Sequence, residues 1–267
     1  MVYYDKQNVN NLSTTAGTMV TLYARWSFYE MVEIQAGTFT MGRYEVTQEQ
    51  FVAVMSYHPG YFNGASGRLP AAGEMQHRRP VEQVSWYNAL VFCNKLSIAE
   101  GLSPAYRLYN STNPNNWGAV PVTDNATWDT VEIVSGSTGY RLPTEAQWEY
   151  ACRAGTTTAN YTGATTSNNT GWYGINSVSK THEVGKKPAN AWGLYDILGN
   201  VFEWCWDWYG DYTSLTQTDP MGASIGPYRI ARGQCWGAAA VDMRSAFRGG
   251  SNPSFYNRDL GFRLARP

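Results

Sequence analysis

The feature that most restricts the fold is the shortness of every periodic run. The clearest helix is WYNALVFCNKLSIAEG, opened by Ser85, with Ala89, Phe92, Cys93 and Leu96 on one face and Gly101 as its stop. Two shorter helices begin at capping boxes, Thr47 with Gln50 and Thr144 with Gln147, the second ended by Gly155. Strand signals are equally brief. Met31 to Gly42 predicts a hairpin turning at Ala36-Gly37, and residues 103–139 hold further short strands. Tyr228–Arg232 and Leu260–Arg266 alternate apolar and basic residues, as strands with one buried face do. Three short helices among many strands and long loops predict an α+β domain with irregular connections.

Without long amphipathic helices, the core must be built from large flat side chains. Aromatics make up 15% of the chain and there are 11 Trp. No apolar run reaches the length of a transmembrane helix, and no signal peptide is visible. The four cysteines (Cys93, Cys152, Cys205 and Cys235) are widely spaced with no CxxC, so neither a zinc site nor a disulfide framework is implied. A net charge of −1 gives no reason to expect a nucleic-acid partner. The charge is uneven, however: seven Arg and two Asp lie from Tyr228 onward, +5 against −6 for the rest. Pairing of these arginines with carboxylates elsewhere in the fold accounts for this. A basic groove for an anionic ligand is the other reading.

Between its two alternating ends the C-terminal stretch changes character. Gly237–Asp242 and Gly249–Asp259 mix Gly, Ala, Ser, Asn, Asp, Phe and Tyr with no period of two or 3.6. That texture suits loops held by a scaffold and used for contacts. Upstream, in WGLYDILGNVFEWCWDWYG, Asp196 and Glu203 flank a glycine turn. Carboxylate and backbone oxygens so placed could wrap a hard cation, although the same pattern also describes acids solvated beside a turn.

MGRYEVTQEQF, RPVEQVSWYNALVFCNKLS, YRLPTEAQWEYACRAG, GLYDILGNVFEW and RGQCW…RSAFR…GFRLAR occur in this order. Over residues 27–267 the chain resembles the formylglycine-generating-enzyme, or sulfatase-modifying-factor, domain family. NLSTTAGTMVTLYARW, within residues 1–26, resembles the closing strand of the small β-grasp repeats of bacterial surface proteins, which implies a longer exported protein. The family resemblance implies a C-type lectin-like fold: an antiparallel sheet with two main helices and abundant loop. It also implies a structural calcium ion (Ca2+) held by the carboxylates of Asp196 and Glu203 and the backbone carbonyls of Gly199 and Val201. Asp196 stands where Asn is common.

Enzymatic members of the family oxidise a substrate cysteine with a cysteine pair. Here Cys235 takes a serine position of the motif and no second cysteine follows, so no catalytic residue is expected. The sequence is most similar to a branch of the family, the Treponema-type variable proteins of diversity-generating retroelements. That likeness implies a variable region of about 232–266. Its variable, ligand-contacting positions would be Cys235, Gly237, Ala238, Ala239, Val241, Asp242, Phe247, Gly249, Gly250, Ser251, Asn252, Phe255, Tyr256, Asn257 and Asp259. All of these can be encoded by N-N-C codons. Trp236 would pack in the core or floor the pocket, while Arg244, Arg248 and Arg263 would support the loops. The expectation is a non-enzymatic binding protein at the cell surface, attached through a lipid anchor outside this chain. Its ligand would be macromolecular, such as a host or microbial surface protein. Two alternatives are a thiol oxidase or related oxygenase and a calcium-dependent lectin; the second lacks the Glu-Pro-Asn and Trp-Asn-Asp signatures.

Overall fold

The computed structural model describes residues 29–34 and 39–267. The β-grasp-like strand expected within residues 1–26 and the hairpin turn at Ala36-Gly37 lie outside the described residues. All three helices start where their caps predict. In α1 (Gln48–Met55) and α3 (Glu145–Arg153) the threonine hydroxyl accepts from the N3 backbone and the N3 glutamine returns the bond. Ser85 and Asn88 make the same box at α2 (Trp86–Ala99). The left-handed residue that ends α3 is Ala154 (φ 45°), one position before the predicted Gly155.

Helix α2 is buried on more than the one predicted face, because the chain that follows wraps its far side. Asn94 sits fully buried there and is satisfied by the Tyr106 and Thr112 carbonyls and the Tyr106 N–H. That wrapping segment contributes β3 (Tyr106–Arg107), which pairs with β4 (Glu132–Ile133).

The principal sheet has the order β7 (Gly249–Ser251), β6 (Arg229–Arg232), β5 (Phe202–Trp208), β8 (Leu260–Phe262). Its pairs are antiparallel except β5/β8, which is parallel, so the expected antiparallel sheet contains one exception. A second sheet joins β1 (Met31–Glu33), β2 (Thr40–Gly42) and β9 (Ala265–Arg266). The run Leu260–Arg266 is therefore not one strand. It breaks at Arg263, whose buried guanidinium is anchored to the Gly42 and Tyr195 carbonyls while the chain passes from one sheet to the other.

The core is aromatic, as composition requires. Tyr106 stacks on Trp206 at 5.2 Å, and the Arg229 guanidinium lies 3.7 Å from the Trp86 ring centroid and 3.4 Å from that of Trp208. Helix α3 is fixed to the principal sheet by polar bonds. Trp148 Nε1 donates to Glu203 (2.7 Å), and Arg232 pairs with Glu149.

Candidate ligand-binding surface

The backbone of the C-terminal segment is fastened to the rest of the domain by main-chain carbonyls and amides. Trp236 N donates to Asn200 O (2.8 Å), Gly174 N to Ala238 O (2.9 Å), Ser245 N to Ala159 O (2.9 Å), Trp86 N to Pro253 O (3.0 Å) and Gln83 N to Asn257 O (2.9 Å). Ser177 and Thr166 hydroxyls add bonds to the Trp236 and Ala240 carbonyls. None of these bonds involves a side chain of the segment itself, so this part of the anchoring does not depend on what those side chains are.

The predicted positions divide into three groups. Gly237, Ala239, Val241, Phe255 and Tyr256 are exposed, and Asp242, Asn257 and Asp259 half-exposed. Tyr256, with Tyr57, Val91, Pro121 and Val122, lines a cleft of 560 Å³. Phe247, Gly249, Gly250 and Ser251 lie elsewhere, on or beside edge strand β7. Phe247 faces Phe202 at 6.3 Å, and a Cβ on Gly250 would come within 2.8 Å of the Tyr209 ring, so that position has little room to vary. Asn252 is bonded to the Asp124 carboxylate.

Two expectations fail. Cys235 and Ala238 are only 6% and 8% exposed, Ala238 being packed in the core with Trp148 and Met243. Buried to this degree, neither side chain is placed to contact a ligand.

Trp236 is half-buried: its ring meets Phe62 edge-on at 5.7 Å and its Nε1 donates to Arg258 O (3.1 Å). It is a floor shared between the C-terminal segment and the loop carrying Tyr61 and Phe62. That loop packs against Trp236, and Ser177, which bonds the Trp236 carbonyl, sits in a loop that also exposes Ile175 and Val178; the sequence reading named neither loop. Val178 has φ 52°, a rare conformation for a β-branched residue, and such outliers are found at functional sites. No short sequence signal marks it.

The C-terminal arginines are largely internal. Arg232 and Arg248 pair with Glu145, and Arg263 with Glu203; Arg229 is held among tryptophans. Arg244 and Arg258 are exposed.

The expected calcium ligands fit the ion unequally. Asp196 is fully buried; its Oδ2 accepts from Gly185 N (2.6 Å), while Oδ1 has no hydrogen-bond partner among the described residues. Burial, reinforced by the Glu203 charge against the pull of the Gly185 N–H and Arg263, raises its carboxyl to about 6. Burial and the charges of Asp196 and Glu203 raise Glu45 as well. Three buried carboxyls thus share one guanidinium, a deficit a divalent cation would cancel. Gly199 must be glycine, since a Cβ there would lie 2.3 Å from the Trp172 carbonyl oxygen. Val201 is turned in, its N–H on Glu45 (3.0 Å). Glu203, by contrast, accepts from Arg263 on both oxygens and from Trp148 on one, which fills its lone pairs. Asp196 keeps one carboxylate oxygen without a hydrogen-bond partner, whereas Glu203 is already neutralised, and among the described residues no group of three or more His, Cys, Asp or Glu is placed to hold a metal ion.

Redox chemistry finds little support in the thiols. All four cysteines are free and buried. Burial raises the Cys235 thiol to about 12, and its polar neighbour is Asp259 (Sγ–Oδ2 3.9 Å), which disfavours a thiolate further.

Comparison with known proteins agrees with this geometry. The family model for the sulfatase-modifying factor enzyme 1-like domain matches residues 7–267. The structure of Treponema denticola variable protein 1 is similar, with TM-score 0.77 and 43% identity, covering 86% of this chain and 84% of that one. The chaperone protein LppX of Paenibacillus barcinonensis is 33% identical over 90% of this chain and 84% of its own length. The formylglycine-generating enzyme of Mus musculus is 33% identical over 53% of this chain and 43% of its own.

Proposed function

The chain belongs to the sulfatase-modifying factor enzyme 1-like domain family, with its C-type lectin-like fold, and we propose that this member is a non-enzymatic ligand-binding protein. Its C-terminal segment displays a hypervariable site diversified by a retroelement. The observation that carries this reading is the anchoring of that segment through main-chain bonds to Asn200, Gly174, Ala159, Trp86 and Gln83. A loop held this way tolerates new side chains without a new backbone. The likeness to a variable protein at 43% identity supports the same conclusion.

The contact positions reduce to Gly237, Ala239, Val241, Asp242, Phe255, Tyr256, Asn257 and Asp259, with Trp236 as floor. The aromatic ones supply area at low rotamer cost, and the polar ones hydrogen bonds. The ligand is a macromolecule on a host or microbial surface, and the protein works at the cell surface. A calcium ion on Asp196, next to the Gly199 and Val201 backbone, would brace the turn that carries Asn200, the acceptor for Trp236 N. Against an oxidase stand the buried, protonated Cys235 and the lack of a second cysteine beside it.

The test is to resequence the gene and its flanking DNA from many clones of the source population. Substitutions confined to codons between Cys235 and Asp259, opposite adenines of a nearby repeat, would support the reading. An invariant segment with no repeat would overturn it.

A further inference from the structure

The ligand surface does not stop at the C-terminal segment. A closed circuit of contacts ties it to two other loops. Arg68 lies over the Tyr61 ring (3.9 Å), and Lys180 Nζ donates to Leu69 O (3.3 Å). Ser177 Oγ donates to Trp236 O (2.6 Å), and Arg258 returns to both the Trp236 and Tyr61 rings (5.3 and 5.5 Å). The loop that carries Ser177 and Lys180 also presents two apolar side chains to water: Ile175 is 76% and Val178 77% exposed.

The circuit's three cations, Arg68, Lys180 and Arg258, make no ion pair among the described residues; their contacts are backbone oxygens and aromatic faces. Two carboxyls behind them are turned to other work. Glu82 is buried and accepts the Tyr61 and Phe62 N–H groups (2.9 and 2.8 Å); Asp259, which feels the Arg258 charge without pairing to it, faces Cys235. Three of the internal arginines, Arg232, Arg248 and Arg263, are matched to glutamates, whereas Arg68, Lys180 and Arg258 have no carboxylate within ion-pair distance among the described residues.

The loop that presents Val178 is held in an unfavourable shape. Val178 and Ser179 are both left-handed (φ 52° and 56°). Buried Ser177 clamps them: its Oγ accepts from Ser179 N, and its carbonyl is bonded to His182. A strained turn that pushes a valine into water is costly unless the exposed side chain is used.

Building on the binding function proposed above, we propose that the site takes an acidic polypeptide surface. Apolar side chains of the partner would cover Ile175, Val178 and Trp236, and its carboxylates would pair with Arg68, Lys180 and Arg258. These six residues lie outside the positions expected to vary, so they would give every variant of the protein a common acidic class of partner. The C-terminal loops would select within that class. An apolar centre with a polar rim is the usual arrangement of a protein interface, and charge in the rim steers encounter and sets specificity more than it adds affinity.

The test uses the whole chain and two fluorescein-labelled peptides, one of Glu and Leu residues and a counterpart with Lys replacing Glu, read by fluorescence anisotropy. The Glu peptide should bind, less tightly as salt rises, and the Lys peptide should not. Arg258→Gln and Arg68→Gln should each weaken binding about tenfold, the size of one charge-assisted hydrogen bond. Val178→Ser should weaken it with the salt dependence unchanged. Arg258 is exposed, so its variant should fold, as checked by circular dichroism, even if Arg68→Gln does not. Equal binding of both peptides, no binding of either, or binding unaffected by these substitutions overturns the inference. Heparin binding as tightly as the Glu peptide and indifferent to Val178→Ser would also overturn it, by revealing a general anion site. A protein that binds neither peptide yet varies at the C-terminal codons loses this inference and keeps the diversified-site reading.

Discussion

Arg263 grips Glu203 through two nitrogens, Nη2 at 2.7 Å and Nε at 3.0 Å, with both side chains wholly inside the protein. Removing either partner leaves a buried unpaired charge. Glu203→Ala or Arg263→Ala should therefore destabilise the domain by about 3–5 kcal/mol, measured by urea unfolding. The loss should appear with or without calcium, so Glu203→Ala cannot serve as the test of an ion.

Asp196 provides that test. Its Oδ1 has no hydrogen-bond partner among the described residues, and burial crowds its carboxyl together with those of Glu45 and Glu203 around the one guanidinium of Arg263. A chelator should lower the melting temperature, added calcium should restore it, and Asp196→Ala should abolish both responses. A melting temperature indifferent to chelator and to calcium would reject the proposed ion.

Stability should fall as the pH rises from 5 to 7.5 in the absence of calcium. Burial raises Asp196 to about 6, and Glu82 and Asp207 to about 7, from ordinary carboxyl values near 4. Between the unfolded and folded pKa values the folded state binds more protons than the unfolded one. Each rise in pH through that window therefore favours unfolding. Calcium should remove the share due to Asp196. A denaturation midpoint that rises over this range would contradict the assignment.

The C-terminal positions should separate by burial. Val241→Ser, Phe255→Ser, Tyr256→Ser and Gly237→Ala should each change stability by no more than about 0.5 kcal/mol. Ala238→Phe should cost about 1–3 kcal/mol, because it overpacks a core position. Gly250→Ala should also destabilise, because its Cβ would meet the Tyr209 ring. Thermal melts of the set decide the matter, and equal tolerance at all of them would sink the division made here.

Cys235 should resist iodoacetamide at pH 8 until the protein is unfolded, since its thiol is buried and raised to about 12. Incubation with copper and a cysteine-containing peptide should leave the peptide thiol intact by mass spectrometry. Fast labelling or thiol loss would reopen an oxidase reading.

Local chemistry was legible in the sequence. The three capping boxes, the hairpin strands and the strand at Arg229–Arg232 depend on neighbours a few residues apart, and they fold where the residues say. The ordered motifs identified the family because each encodes a local structure of that kind. Pairing of the C-terminal arginines could be anticipated from charge alone, but their partners could not. Glu145 and Glu149 lie far upstream of Arg232 and Arg248 and meet them only because α3 packs across β5 and β6.

Tertiary structure decided the rest. Cys235 and Ala238 look like loop residues in a Gly/Ala-rich run, yet the core closes over them; burial depends on what packs from elsewhere in the chain. Leu260–Arg266 reads as one alternating strand, but Arg263 divides it between two sheets in reaching Glu203 and Gly42. Val178 carries no motif, and its left-handed exposure depends on Ser177 bonding to a carbonyl 59 positions away. The sequence by itself determined the elements and their family. Contacts between residues distant in the chain determined which side chains face water, because no local pattern records them.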